Sequence, residues 1–126
     1  MKYMIALVAM LFAASAKADF IEDLFGNNQP DLSGYTASLH NASWYYDTVG
    51  RTASGKRVTY GIAHKTLPFG THVHLYCPAT GRTVVATVTD RGPYIRGRNI
   101  DANQNVASAL GFKHNGTARI EMRVLN

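Results

Sequence analysis

The sequence predicts a mainly β protein that folds as one compact β-barrel with a single short helix. A chain of 126 residues is long enough for one well-packed domain and too short for two. Its strand-like segments are short, and turn signals separate them. Only one segment carries the periodicity and the end signals of a helix. Many short strands with one small helix are typical of a barrel of about 90 residues.

Four segments carry strand signals, either alternating polarity or a β-branched run. They are Thr36–Tyr46, Gly70–Tyr76, Thr83–Thr89 and Ala118–Leu125. The helix is expected over Ala102–Leu110, where apolar side chains recur at helical spacing. Asp101 is its expected N-cap and Gly111 its expected stop.

The first 34 residues are expected to lie outside the barrel. Met1–Ala18 has a basic start, an apolar run and a small-x-small ending, the pattern of a secretory signal peptide cleaved near Ala18. The apolar run is shorter than the roughly 20 residues that span a bilayer. Residues 19–34 are polar and turn-rich, which predicts a linker or arm before a barrel domain over residues 35–126. We therefore expect an exported protein, periplasmic or extracellular, with no membrane span and no cysteine for a lipid anchor.

Basic side chains concentrate in the barrel. The chain has 13 Lys and Arg against 8 Asp and Glu, a formal net charge of +5. Removing the signal peptide lowers this charge to about +3, yet from Tyr35 onward 11 basic residues face 4 acidic ones. An exported basic domain favours an anionic cell-wall polymer as partner and disfavours nucleic acid.

The sulfur and imidazole side chains argue against metal binding. Cys77 is the single cysteine, which excludes an intramolecular disulfide and a four-cysteine zinc site. We expect it to be buried in a strand, since no pattern around it suggests a catalytic thiol. His72 and His74 share one strand face but lack a third ligand at matching spacing, so we expect a half-exposed outer face and no metal or cofactor.

Two residues have both a catalytic and a structural interpretation. Asp90 ends the β-branched run, where a rigid sheet can aim a carboxyl into a groove. Alternatively, it caps a turn by accepting the amides of Gly92 or Tyr94. His64 lies in a conspicuous AHKTLPFGT stretch, and its alternative role is that of a buried, hydrogen-bonded side chain.

Aromatic and basic side chains suit an anionic glycan. At least one of Trp44, Tyr45 and Tyr46 must face outward on a strand, which suggests a platform for sugar stacking. Arg91, Arg96 and Arg98 follow Asp90 closely in sequence. They form either a solvated loop or an anion-binding cluster around that acid.

Six motifs carry a resemblance at characteristic spacing. They are Ala42–Tyr45, Thr52–Gly55, Ala63–Thr71, Asp90–Tyr94, Arg98–Ala102 and Ala107–Gly111. Together they resemble the rare lipoprotein A family of exported bacterial proteins, over roughly Ala42 to Leu125. The AHKTLPFGT and DRGPY matches are the most specific.

The resemblance implies a six-stranded double-psi β-barrel with lytic transglycosylase activity on peptidoglycan glycan strands poor in stem peptides. That reaction breaks the bond between N-acetylmuramic acid (MurNAc) and N-acetylglucosamine without water, and the MurNAc 6-hydroxyl closes a 1,6-anhydro ring. It needs a proton donor for the leaving oxygen and a base for the hydroxyl, and one carboxyl can serve as both in turn. By resemblance Asp90 is the essential acid and His64 its partner. Substrate contacts are expected from Trp44, Tyr45, Arg91, Tyr94, Lys56 and Asp47.

One departure from the family pattern bears on this activity. Lys56 stands where active family members have a glutamate, so a like-charge effect on Asp90 is lost or reversed. Asp47 is the nearest other acid in sequence, and it either faces the groove or is an exposed loop acid.

Three function classes follow. The first is a monomeric lytic transglycosylase. The second is a non-hydrolytic, expansin-like binder of wall polysaccharide, favoured by Lys56. The third is a protein-interaction role, which no motif singles out.

Overall fold

The computed structural model describes residues 30–47 and 52–126, which form six strands and one helix. The signal peptide predicted over residues 1–18 and most of the predicted arm over residues 19–34 lie outside the described residues. The elements are β1 (Ser38–Tyr45), β2 (Gly61–His64), β3 (His72–Cys77), β4 (Arg82–Asp90), β5 (Ile100–Asn103), α1 (Gln104–Leu110) and β6 (Thr117–Val124).

The six strands close into a barrel in the neighbour order β1-β5-β2-β4-β3-β6. β1 is parallel to β5 and β2 is parallel to β4, while the other four neighbouring pairs are antiparallel. Parallel neighbours require long crossover connections, so strands distant in sequence lie side by side. This architecture confirms the prediction of a six-stranded double-psi β-barrel with one short helix.

The core is apolar and draws on strands from every side of the barrel. Fully burying one large aliphatic or aromatic side chain stabilises the fold by about 1.5–3 kcal/mol. The largest such side chains are Phe112, Ile62, Leu75, Ile100, Leu110, Ile120, Val73, Val88 and Val106. Cys77 lies among them with no exposed surface, which confirms the expectation that it is a buried strand residue.

The helix is shorter than the sequence predicts. It covers Gln104–Leu110, and its N-cap is Asn103, whose side chain accepts from the amide of Val106 at 2.9 Å. Gly111 ends the helix in the left-handed region at φ 83°, as expected. No helix within residues 30–47 and 52–126 has the length and apolar character needed to cross a membrane.

The expectation that Asp101 is the helix N-cap is wrong. Asp101 lies in β5, which is only four residues long, and its carboxylate accepts instead from the hydroxyl of Ser43. β2 is equally short and also went unpredicted. Both strands are set by pairing with distant neighbours, a tertiary effect that local propensity does not encode.

The expected half-exposed face at His72 and His74 is also only partly right. His72 is exposed, whereas His74 is buried, with 5% of its surface accessible. β3 lies between β4 and β6, and the half-buried Arg123 stands directly across from His74 in β6. The neighbouring strand therefore covers an imidazole that sequence alternation places outside.

A buried polar network ties the helix start to the loop after β1. The side-chain amide of Asn103 donates to the carboxylate of Asp47 at 2.9 Å and to the backbone carbonyl of Thr59 at 3.0 Å. Arg57 forms an ion pair with the same carboxylate, at 3.3 Å. Asp47 is 1% exposed, so the alternative of an exposed loop acid is wrong. A buried carboxylate needs such partners to remain charged.

We predict that Asn103→Ala destabilises the fold by about 3 kcal/mol, since it removes a helix cap and leaves the Asp47 carboxylate short of a donor. Urea unfolding at neutral pH measures the loss. The matched control is Asn105→Ala, which removes an exposed hydrogen bond to Thr59 and is expected to cost below about 1 kcal/mol. Equal losses in the two variants would contradict the structural role given to this network.

Candidate active site

Barrel closure aligns four side-chain positions in one row across β1, β5, β2 and β4. Ser43 is in register with Asp101, Asp101 with Ala63, and Ala63 with Asp90. Positions in register across neighbouring strands share a face of the sheet. The β2–β4 register shifts between Ile62 and Ala63, so that Asp90 and not Thr89 stands opposite Ala63. Asp90 and Asp101 therefore lie on the two strands that pair with β2, on either side of the buried Ala63. We call these four residues the acidic row.

Asp90 is held by three hydrogen-bond donors. One carboxylate oxygen accepts from the hydroxyl of Tyr45 at 3.0 Å. The other accepts from the amides of Ala53 at 2.7 Å and Arg91 at 2.9 Å. These donors fix the orientation of the carboxylate. Asp90 thus accepts backbone amides, but not those of Gly92 or Tyr94 that a simple turn cap predicts.

Tyr45 is suited to donate to Asp90 at neutral pH. Burial, followed by the hydrogen bond to Asp90, raises the pKa of its phenol well above the usual range. The hydroxyl therefore keeps its proton. This contact joins one predicted substrate-binding residue to the predicted acid.

Asp101 is the second carboxyl of the acidic row, a position that the sequence motifs do not predict for it. It is half-buried and accepts from the Ser43 hydroxyl at 2.9 Å. Burial is the main cause that raises the pKa of Asp101, and the negative charge of Asp90 adds to it. Ser43 and Arg98 act in the opposite direction. The signal available in the sequence was the apolar–polar–apolar alternation of Ile100, Asp101 and Ala102, which is typical of a strand.

His64 ends β2 and caps the loop that follows. Its Nδ1 accepts from the amides of Thr66 and Leu67, both at 3.1 Å. Burial, and then the nearby charges of His40, Arg91 and Lys65, lower the pKa of the His64 imidazole. The ring is therefore neutral at pH 7, with its proton on Nε2. This geometry fits the structural alternative stated for His64 and leaves one N–H to donate.

Lys56 and Asp47 have different surroundings. Lys56 is exposed and forms no ion pair with Asp90. The carboxylate of Asp47 is engaged by Asn103 and Arg57, which leaves it little capacity to contact substrate. The negative charge of Asp47 still acts on Tyr45, where it helps to raise the phenol pKa.

The aromatic residues after Ser43 are divided between core and surface. Trp44 packs partly against the core and donates from Nε1 to the carbonyl of Lys113 at 2.9 Å. Tyr46 is 64% exposed and meets Trp44 edge to face, with ring centroids 5.0 Å apart. The ammonium of Lys113 lies 5.2 Å from the Trp44 ring centroid. Tyr94 is 80% exposed on the DRGPY turn.

The three arginines after Asp90 do not form one cluster around it. The guanidinium of Arg91 stacks 4.0 Å from the Phe69 ring centroid and donates to the carbonyl of His64 at 3.2 Å. Arg96 and Arg98 instead line a surface pocket of about 320 Å³ together with Arg119 from β6. The prediction of an arginine cluster around Asp90 is therefore wrong in its location.

Metal ligation has no support in the part of the chain that the structure describes. No group of three or more His, Cys, Asp or Glu side chains lies close enough there to hold a metal ion.

Comparisons with known proteins agree with the fold and the motifs. A family profile described as "Lytic transglycolase" matches residues 37–122. The chain is 44% identical over 89 residues to the "Probable endolytic peptidoglycan transglycosylase RlpA" of Aquifex aeolicus, covering 67% of this chain and 39% of that protein. It is 39% identical over 87 residues to the "Endolytic peptidoglycan transglycosylase RlpA" of Neisseria meningitidis, covering 65% and 36%. The chain thus spans less than two fifths of the length of these two relatives.

A solved structure with the same fold is an expansin from Clavibacter michiganensis. The TM-score is 0.60 at 17% sequence identity, and the match covers 72% of this chain and 51% of the expansin. Identity at this level supports the barrel fold alone. The resemblance to the rare lipoprotein A family is confirmed by the profile and the named relatives.

The half-buried, neutral imidazole of His64 predicts a pH effect on stability. Its pKa is lowered in the folded state from the ordinary 6.5, so the unfolded chain binds the proton more readily. The stabilising contribution of the neutral ring is complete above pH 6.5 and is lost as the pH falls from 6.5 through the lowered value. We expect the free energy of unfolding of the wild type to fall between pH 7.5 and pH 5.5.

Urea unfolding at those two pH values checks this. His64→Gln is expected to lose less stability over the interval than the wild type does, while contributions from His40 and His74, whose pKa values burial also lowers, remain. His72→Gln at an exposed position is the control and should match the wild type. An undiminished pH dependence in His64→Gln would contradict the assignment.

Proposed function

Because the chain belongs to the lytic transglycolase family, whose profile matches residues 37–122, we propose that it cleaves the glycan strands of peptidoglycan. The relatives from Aquifex aeolicus and Neisseria meningitidis are named as enzymes of this kind. The observation that carries the proposal is the acidic row. Asp90 and Asp101 stand opposite Ala63 on the two strands that pair with β2, and the charge of Asp90 acts on the Asp101 carboxyl.

The two carboxyls have surroundings suited to opposite steps. Three donors, the Tyr45 hydroxyl and the amides of Ala53 and Arg91, hold the Asp90 carboxylate in a fixed orientation that suits a base. Burial raises the pKa of Asp101, the direction that favours a proton donor. This difference in surroundings supports giving the two carboxyls different roles.

In the proposed reaction Asp101 gives its proton to the oxygen that leaves as the glycosidic bond breaks. Asp90 takes the proton of the MurNAc 6-hydroxyl, and that oxygen bonds to the anomeric carbon. The products are a 1,6-anhydro end and a new hydroxyl end, and no water is consumed. A proton then passes from Asp90 to Asp101 to restore the starting state. The family resemblance implies that Asp90 serves both steps in turn, and the second carboxyl supports dividing the steps between two residues.

The other predicted site residues have supporting parts in this proposal. The Tyr45 hydroxyl donates to the Asp90 carboxylate. The Arg91 guanidinium donates to the carbonyls of His64 and Asp90, and so links the ends of β2 and β4. His64 presents its remaining N–H, and the exposed rings of Tyr46 and Tyr94 offer surfaces for sugar stacking. Trp44 and Lys56 remain predicted substrate contacts at the edge of the site.

Export is part of the proposal, since peptidoglycan lies outside the cytoplasm. The predicted signal peptide over residues 1–18 and a monomeric state both remain predictions. The substitution of Lys56 for the family's glutamate is the one observation that favours the second candidate function, a wall-polysaccharide binder that breaks no bond.

We predict that Asp90→Asn and Asp101→Asn each lower the rate of anhydro-product release from peptide-free glycan strands by about 10²- to 10⁴-fold, the range for loss of general acid–base catalysis. The strands are incubated with residues 19–126 of the chain, and products are separated and identified by mass. Asp31→Asn changes an exposed acid in the segment before β1 and serves as the matched control. Strand binding without any anhydro product from the wild type would favour the binder and refute the enzyme.

A further inference from the structure

The surface pocket next to the acidic row is the strongest site that the proposed mechanism does not use. It has a volume of about 320 Å³ and lies where β1, β6 and the loop before β5 meet. Three of the residues that line it are arginines, Arg96, Arg98 and Arg119. The polar residues Asn41 and Thr117 also line it. We call it the arginine pocket.

The position of the pocket is fixed by pairing on both sides of β1. Asn41 is in register with Arg119 of β6. On the other side, the amide of Asn99 donates to the carbonyl of Asn41 at 3.0 Å, and the Asn41 side chain donates to the carbonyl of Gly97 at 3.0 Å. These bonds hold the loop that carries Arg96 and Arg98 against the barrel. These hydrogen bonds therefore fix the backbone positions of the three arginines relative to one another.

The charge of the pocket is not neutralised by an ion pair. Within residues 30–47 and 52–126, no carboxylate forms a salt bridge with Arg96, Arg98 or Arg119. The positive charge of Arg98 lowers the pKa of Asp101 without an ion pair between them. The Asp101 carboxyl instead accepts a hydrogen bond from the Ser43 hydroxyl. Guanidinium groups brought together repel one another and match carboxylate oxygens in planar, two-point contacts. Such a pocket fits an anion.

The pocket is continuous with the proposed catalytic residues along one strand. Every second side chain of β1 lies on the same face of the strand, and this face carries Asn41, Ser43 and Tyr45. Asn41 donates a hydrogen bond to the carbonyl of Gly97, in the loop that carries Arg96 and Arg98. The hydroxyls of Ser43 and Tyr45 donate to the carboxyls of Asp101 and Asp90. Four residues of strand span about 13 Å. A glycan that lies across the acidic row can therefore extend directly into the arginine pocket.

We propose that the arginine pocket binds the free carboxylate of a glycan strand, the lactyl group of a MurNAc unit, beside the bond that is cleaved. This inference rests on the proposed function for its ligand. A stem peptide converts that carboxylate into an uncharged amide, so a peptide-bearing unit offers the pocket no charge at the lactyl position. The pocket is then the part of the structure that selects substrate, separate from the acid and the base.

The test measures binding to two matched glycans. One is a peptide-free strand with free lactyl carboxylates, and the other is the same strand with those groups amidated by methylamine. Both are titrated into the Asp90→Asn variant so that the strands stay intact. The expected preference is about tenfold for the free carboxylate, the size of one or two charged contacts, and it falls as salt concentration rises.

Arg96→Gln and Arg119→Gln, alone and together, are expected to remove this preference and leave binding of the amidated strand unchanged. The matched control is Arg82→Gln, which removes a guanidinium at the start of β4 beside Ser108, away from the pocket, and should keep the preference. The inference is overturned if the wild-type pocket shows no preference, if the preference survives the double variant, or if Arg82→Gln abolishes it. Tighter binding of a glycerol-phosphate polymer than of the free-carboxylate strand also overturns it.

The anhydro-product assay keeps the two proposals apart. Product release by a protein without carboxylate preference refutes the arginine pocket alone. Carboxylate preference in a protein that releases no product refutes the enzyme alone and leaves the pocket as the binding site of a wall-polymer binder.

Discussion

The register between β2 and its two neighbours is the constraint on which the candidate site depends. Ala63 pairs with Asp101 on one side and with Asp90 on the other, so an acid from β4 and an acid from β5 come to lie on either side of a single residue of β2. The β2–β4 register shifts between Ile62 and Ala63, and this irregularity sets Asp90 and not Thr89 opposite Ala63. Barrel closure fixes this register, because every strand is paired on both sides and the core side chains leave one arrangement. Strand pairing thus sets the relative positions of the two carboxyls.

The buried and half-buried acids differ in how completely their carboxyls are engaged by partners. Asp47 is fully engaged with Asn103 and Arg57, and this network joins the helix start to neighbouring loops. Asp90 is half-buried and oriented by donors, and Asp101 is half-buried as well. Burial disfavours the charged form of a carboxyl, and hydrogen-bond or ion-pair partners offset that cost. Where such partners are few, as at Asp101, the pKa of the carboxyl is raised.

Much of the fold was accessible from the sequence, and less of the site. The long strands follow from alternation and β-branched runs, and Gly111 correctly marks the helix end. The two four-residue strands carry too little local signal and exist through pairing, so Asp101 was mistaken for a helix cap. The grouping of Arg96 and Arg98 around Asp90 failed for a similar reason. Two residues that are close in sequence can lie on different parts of a barrel surface when a loop separates them. Arg119 lines the same pocket as Arg96 and Arg98 only because β1 pairs with β6.

The central claim is that Asp90 and Asp101 act as one electrostatically coupled pair. The direct measurement is a carboxyl-carbon NMR titration of Asp101 in the wild type and in Asp90→Asn. The predicted result is a pKa for Asp101 above its ordinary 3.8 that moves back toward that value when the charge of Asp90 is removed. A pKa at or below 3.8 in the wild type, or one that does not move in Asp90→Asn, would contradict the account.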